Sequence, residues 1–236
     1  MYFREQDKLK AITFSFDDGM IQDVRLIELL NKYNLKATFN LNSELFGKGR
    51  VKVQEDGRRV PFYQIKANDV RTVYEGHEIA VHTLTHPRLT ELDDAEVIRQ
   101  VEQDRLNLSE LAGYEVIGMA YPCGGVNYDD RVVNLIREHT GVKYARNIQV
   151  TDSFDPQTDL FRYHPTLHHV SNAPRRAKRT RDFIEMETDK PQVLYIWGHS
   201  YELDLEPDRW AKLEELFAYL GNRDDIFYGT NKEVLL

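Results

Sequence analysis

The chain has 236 residues, 41% of them hydrophobic and 30% charged, with a net charge of -8. It is long enough to bury a core without cross-links, and it fits one α/β domain spanning 1–236. The acidic balance argues against a nucleic-acid binder, which needs a basic face. The basic run Arg175–Arg181 reads as a solvated helix face rather than a partner site. A single cysteine, Cys123, excludes an internal disulfide and suits a reducing compartment. The polar opening MYFREQDKLK lacks the apolar stretch of a secretory signal, and no apolar run reaches the roughly 20 residues of a membrane span. These features predict a cytoplasmic protein; oligomeric state is not legible.

Strand-like and helix-like segments alternate along the chain. Ala11–Phe16 reads as a strand, rich in β-branched and aromatic residues. A helix over 21–33 follows, with Val24, Ile27 and Leu30 on one stripe. Ala37–Leu41 is a second strand. Residues 42–61, with three glycines and many charges, read as a long excursion. A short helix over 68–74 has Asn68 as its cap. A third strand spans 78–81. A long helix spans 93–111, opened by Asp93 with Glu96 three residues on. Its buried stripe is Val97, Val101, Leu108 and Leu111. Strands over 116–121 and 142–145 flank a helix over 129–138. Residues 161–165 read as a further strand. Helices over 174–187 and 208–220 surround a strand over 193–197, and a last short strand covers 226–228. This alternation predicts a mostly parallel sheet covered by helices, curled into an irregular (β/α) barrel of about seven strands.

Active sites of such barrels lie at the carboxyl ends of the strands. The residues there are Asp17 and Asp18, His82 and His86, Cys123, Arg146 and His199. Adjacent carboxylates at the end of an apolar strand make sense if one binds a cation and the other acts as a base. The bland alternative is a helix-capping loop. His82 and His86, four apart in HTLTHP, suit two imidazoles on one ion if they share a helical turn. An Asp with two His completes a three-ligand site with open positions. His199 in WGHS shares the strand-end location and is a candidate acid or base.

These motifs resemble, in order and over nearly the whole chain, those of the polysaccharide deacetylase family, carbohydrate esterase family four. SFDDG is similar to the family's first motif, which implies Asp17 as catalytic base and Asp18 as metal ligand. HTLTHP is similar to the second, which implies metal binding by His82 and His86. WGHS is similar to the last, which implies His199 as catalytic acid. AYPCGG departs from the family's Arg-Pro-Pro-Tyr-Gly pattern: Ala120 stands at the Arg position and Cys123 at the Tyr position. The Cys123 backbone N–H can still hold the oxyanion, and Arg146, after the next strand, is the candidate to steady the base. The motif with Asp and Trp has no clean counterpart; Asp155, Arg162, His164, His168 and His169 fall nearby without assigned roles. The implied cofactor is one divalent cation, Zn²⁺ best suited, with Co²⁺, Mn²⁺, Ni²⁺ or Fe²⁺ as alternatives. The implied partner is an acetylated oligo- or polysaccharide, N- or O-linked. Tyr63, Tyr121, Tyr128, Tyr201 and Trp197 are available as sugar platforms or as core. Rival readings are a cyclic amide hydrolase on the same fold and a metal-holding carbohydrate-binding domain with little turnover.

Overall fold

Strand β1, Lys10–Asp17, is buried along its whole length and organises the computed structural model, which describes residues 7–171 and 173–236. Its alternate residues face two environments. Ile12, Phe14 and Phe16 point into the main apolar cluster, where Phe14 meets Phe217 edge-on at 5.1 Å and Phe16 packs on Phe39 at 5.9 Å. Ala11 joins a smaller cluster with Tyr144, Tyr163, Val193 and Tyr195. Thr13, Ser15 and Asp17 find polar partners from other strands and from the chain's end: Asn231, Asn40 and Arg146. The period-two alternation of a strand thus separates an apolar face from an inner face that carries polar groups.

The strands run parallel in the order β7-β6-β5-β2-β1-β9-β8. Here β2 is Ala37–Leu41, β5 Glu78–Val81, β6 Gly118–Ala120, β7 Tyr144–Arg146, β8 Leu167–His168 and β9 Gln192–Gly198. The seven curl into a distorted half-barrel. An eighth strand, β10 (Ile226–Tyr228), pairs with Lys10–Ile12. Because β9 runs along one edge of β1 from Lys10 to Phe16, β10 and β2 must share the other edge, β2 taking Phe14–Asp17. Helices α1 (Asp23–Lys32), α2 (Val70–Val73), α3 (Asp94–Ala112), α4 (Asp130–His139), α5 (Ala173–Glu185) and α6 (Arg209–Leu220) connect the strands. Asp93 caps α3 by accepting the Glu96 N–H at 2.9 Å, and Gly113 ends it in the left-handed conformation. A final turn of helix, α7 (Asn231–Leu235), lays Val234 and Leu235 into the smaller cluster.

Several local expectations are corrected. The 42–61 excursion contains an antiparallel hairpin, β3 (Gly49–Val53) with β4 (Arg59–Tyr63), turned at Asp56-Gly57. The buried stripe of α1 is Leu26, Ile27 and Leu30; Val24 is 44% exposed, because the helix starts at Asp23 and puts Val24 outside. Asn68 lies within a 3-10 turn over Ala67–Asp69 and caps nothing. Residues 161–165 are no strand: Asp159 caps a 3-10 turn over Leu160–Arg162, and only Tyr163 bridges to Arg146. The basic run lies on α5, where Arg175 and Arg179 both pair with Asp152.

Candidate functional site

The carboxyl ends of β1, β5, β6, β7 and β9 converge on one cavity of about 220 Å³. Asp17, Asp18, His82, His86, Cys123 and His199 line it, with Tyr121, Trp197 and Tyr201. Asp18 Oδ1 lies 3.7 Å from His82 Nε2 and 3.6 Å from His86 Nε2. Ligands on a tetrahedral zinc at 2.0–2.2 Å sit about 3.3 Å apart, so the three atoms are spaced to share an ion. The imidazole chemistry fits as well. His82 Nδ1 is 2.8 Å from the Ala120 carbonyl, which keeps the proton on that nitrogen and leaves Nε2 a lone pair. Burial pushes the His82 pKa down to about 4, so the ring stays neutral across the physiological range. His86 Nε2 accepts the Cys123 N–H at 3.4 Å, which marks it as the ring nitrogen that carries the lone pair.

The expected helical turn for His82 and His86 is not formed. Thr83 and His86 instead have positive φ, 70° and 58°, in an irregular loop pinned by Asn42 to the carbonyls of His82 and Thr83. The rings meet at 4.9 Å because the chain folds back, not because of a 3.6-residue period. Asp18 and Cys123 also have positive φ, 78° and 67°. Four of the seven non-glycine residues with positive φ among those described therefore surround this cavity, and such strain gathers where a site must aim its groups.

Beside the trio, Asp17 is 2% exposed. Arg146 Nη2 donates to both its carboxylate oxygens at 2.5 and 2.6 Å, and Asn40 Nδ2 to one at 2.8 Å. Burial works to raise its pKa, but the Arg146 charge, then His82 and His199, outweigh it and hold the carboxyl below its usual value. Arg146 pairs in register with Ala120 on the neighbouring strand, so its guanidinium starts one strand away from Ala120. It is fully buried and rests over the Trp197 ring at 4.7 Å.

His199 lines the same cavity, next to Asp17. Phe16 and Gly198 are register partners in β1 and β9, which brings the residues that follow them together. Burial lowers the His199 pKa, yet the Glu202 hydrogen bond and the charges of Asp18 and Asp17 overcome it and raise it to about 9. Glu202 was not foreseen. It lies one turn on, in the 3-10 segment Ser200–Asp204, and its carboxylate accepts from the backbone N–H of His199 at 3.1 Å and from Nδ1 at 3.3 Å. The spacing His199-Ser-Tyr-Glu202 is that of a capping box, a signal readable in the sequence. Cys123 has its thiol pKa raised by burial and contacts His86 through Sγ, so it offers the site a neutral thiol and an N–H.

The other residues without roles divide. Asp155 pairs with Lys190 and Gln192, Arg162 with Asp159 and Asp130, and His164 lies near the Gln149 carbonyl, none of them in the cavity. His168 and His169 instead reach Glu202. Tyr121 and Tyr201 both line the cavity: the buried Tyr121 donates its hydroxyl to the Phe161 carbonyl, and Tyr201 packs beneath Phe62 of the hairpin at 4.7 Å.

Residues 4–145, more than half of the chain, match the family model described as polysaccharide deacetylase. The chain belongs to the polysaccharide deacetylase family. Over 120 residues, half of the chain, it is 31% identical to the peptidoglycan-N-acetylglucosamine deacetylase of Listeria monocytogenes and covers 22% of that protein. It is 31% identical over 104 residues, 44% of its length, to the chitin deacetylase of Pestalotiopsis sp, covering 30% of that protein. The chain thus spans less than a third of the length of these relatives. Its fold is similar to that of a family 4 acetyl xylan esterase from Clostridium thermocellum in complex with cobalt, with a TM-score of 0.55 at 16% identity, covering 95% of this chain and 89% of that one. A family 4 pseudoenzyme from Bacillus anthracis matches at a TM-score of 0.53 and 17% identity, covering 97% and 66%. The fold therefore does not by itself decide turnover. The site's chemistry must.

Proposed function

We propose that the protein hydrolyses acetyl groups from an acetylated carbohydrate with the help of one divalent cation, zinc being best suited. The reading rests on one observation: the Asp18, His82 and His86 trio shares one cavity with the ion-paired Asp17 and with His199. A pure binder has no use for a base and an acid in the same cavity as a cation site.

Asp18, His82 and His86 hold the cation; when bound, it supplies Lewis acidity and lowers the pKa of a water. Asp17, kept ionised by Arg146, takes a proton from the attacking water. Arg146 fixes the carboxylate's orientation and keeps its pKa from drifting upward in a buried site. The Cys123 N–H, already aimed at His86 Nε2, donates to the oxyanion. His199, protonated at neutral pH, passes a proton to the departing amine or alkoxide. The small cavity admits an acetyl group, while the sugar lies outside it near Tyr201. Acetate release from a series of N- and O-acetylated oligosaccharides, with and without chelator, tests the reading. Release that is abolished by chelation and restored by zinc supports it; release indifferent to the chelator would sink it, as would no release from any member.

A further inference from the structure

We propose that His168, His169 and Glu202 form a second divalent-cation site, separate from Asp18, His82 and His86 and sharing no residue with them. The proposal does not depend on the hydrolytic reading above.

The geometry around Glu202 carries it. Its Oε2 has four nitrogen neighbours: His169 Nε2 at 2.8 Å, the His199 backbone N at 3.1 Å, His168 Nε2 at 3.2 Å and His199 Nδ1 at 3.3 Å. A carboxylate oxygen offers two lone pairs. The backbone N–H of His199 claims one of them as part of the capping arrangement, so three imidazoles contend for the other. As hydrogen-bond donors the rings compete. As ligands they do not: a cation among them takes the Nε2 lone pairs of His168 and His169 together with a carboxylate oxygen, and His199 keeps Glu202 as its partner. Two histidines and one carboxylate form an established zinc ligand set. The ligand atoms of the trio all lie within 4.8 Å of one another, as do those of Asp18, His82 and His86.

The backbone is also arranged for this convergence. Consecutive residues of a strand point to opposite faces. His168 and His169 nevertheless meet, with ring centroids 5.1 Å apart, because β8 stops at His168. Position 198 must be glycine to let His169 in: a Cβ there would stand 1.8 Å from His169 Cδ2. The side chain of His169 is fully buried, while those of His168 and Glu202 are 20% and 17% exposed, which leaves a route from solvent. A cation here would tie the end of β8 to the turn that carries His199.

Metal content of chelated protein re-equilibrated with zinc tests the site. We expect two equivalents in the wild type, one in Asp18→Asn and one in His168→Gln, a change at a partly exposed residue. A thermal melt gives a second readout: zinc should raise the Tm of Asp18→Asn but not that of Asp18→Asn/His168→Gln. One equivalent in the wild type that vanishes in Asp18→Asn overturns the proposal, as do two equivalents that both survive His168→Gln. One equivalent that survives Asp18→Asn but is lost in His168→Gln supports this site and instead sinks the assignment of Asp18, His82 and His86.

Discussion

Asp17 and Glu78 are both nearly buried, 2% and 5% exposed, at opposite ends of the same parallel sheet. Asp17 closes β1 at the carboxyl end; Glu78 opens β5 at the amino end. Burial pushes both pKa values upward, yet Asp17 ends below its usual value and Glu78 above. The difference lies in the partners. Asp17 faces a guanidinium. Among the described residues Glu78 accepts from neutral donors, the Thr38 and Tyr144 hydroxyls, each at 2.7 Å, and the Lys232 N–H at 2.9 Å, and the more distant Lys232 charge does not offset its burial. Around Glu78 the network continues through Asn231, which bonds Thr13, Tyr195 and Thr38, and α7 seals the end. One end of the sheet keeps a charge ready for chemistry; the other buries a carboxyl as a structural plug. Each mutation below should act according to its end.

The largest effect should come from Asp18→Asn. It removes the one anionic member of the trio, so zinc affinity at that site should collapse and acetate release should fall to background. Metal content and turnover measured together check this; full turnover without metal at the trio would refute the role of Asp18. Next comes Asp17→Asn. Zinc should stay bound while kcat drops on the order of 10²–10⁴-fold, the usual worth of a positioned acid or base. Stability should fall too, by about 3–5 kcal/mol, because buried Arg146 loses its counter-ion. The Asp17 pKa is depressed, so the stability it confers is present above pH 3.8 and is lost as pH falls through its folded value. The deficit of Asp17→Asn should therefore shrink in acid. A deficit unchanged at pH 3 would mean that it does not arise from the charge on Asp17.

A subtler change is Glu202→Gln. His199 has its pKa raised to about 9, first by its hydrogen bond to Glu202. The neutral amide should move the alkaline limb of kcat/KM toward lower pH while leaving the acidic limb in place. Glu202→Asp should restore part of the shift. An unmoved alkaline limb would assign it to another group. His199→Ala, which deletes the proposed acid, should cost on the order of 10²–10⁴-fold with the metal at the trio retained.

What the sequence made legible follows the same division. Continuous apolar strands such as Ala11–Phe16 and Val193–Trp197 announce themselves, and their ends locate Asp17, Asp18, Arg146 and His199. The loop of His82 and His86 was located but not shaped, because its turn depends on non-glycine residues at positive φ, held by Asn42 just past the end of β2. Periodicity carries no trace of such a constraint. Glu202 and α7 were missed although each shows capping-box spacing, His199 with Glu202 and Thr230 with Glu233. A box with a histidine at the cap, or one opening a five-residue helix, gives too short an apolar pattern to stand out. The polar network around Glu78 is not legible at all, since it joins residues from Thr13 to Lys232 that share only a place in space.

The smallest effect, and the sharpest test of the comparison, is expected of Glu78→Gln. Glutamine is nearly the same shape. Its Oε1 can accept from the Thr38 hydroxyl and the Lys232 N–H, and its Nε2 can donate to the Tyr144 oxygen if that hydroxyl turns away. The exchange of hydrogen bonds should cost no more than about 1 kcal/mol. The pH dependence is more telling. The Glu78 pKa is raised above 4.5 by burial, so its contribution is complete below pH 4.5 and is lost as pH rises through the folded value. Urea unfolding from pH 4 to pH 8 should therefore show the variant gaining on the wild type as pH increases. If the wild type gained instead, Glu78 would be ionised in the fold and held by the amino end of α7. The two ends of the sheet would then differ in what surrounds the charge, not in whether a charge is kept.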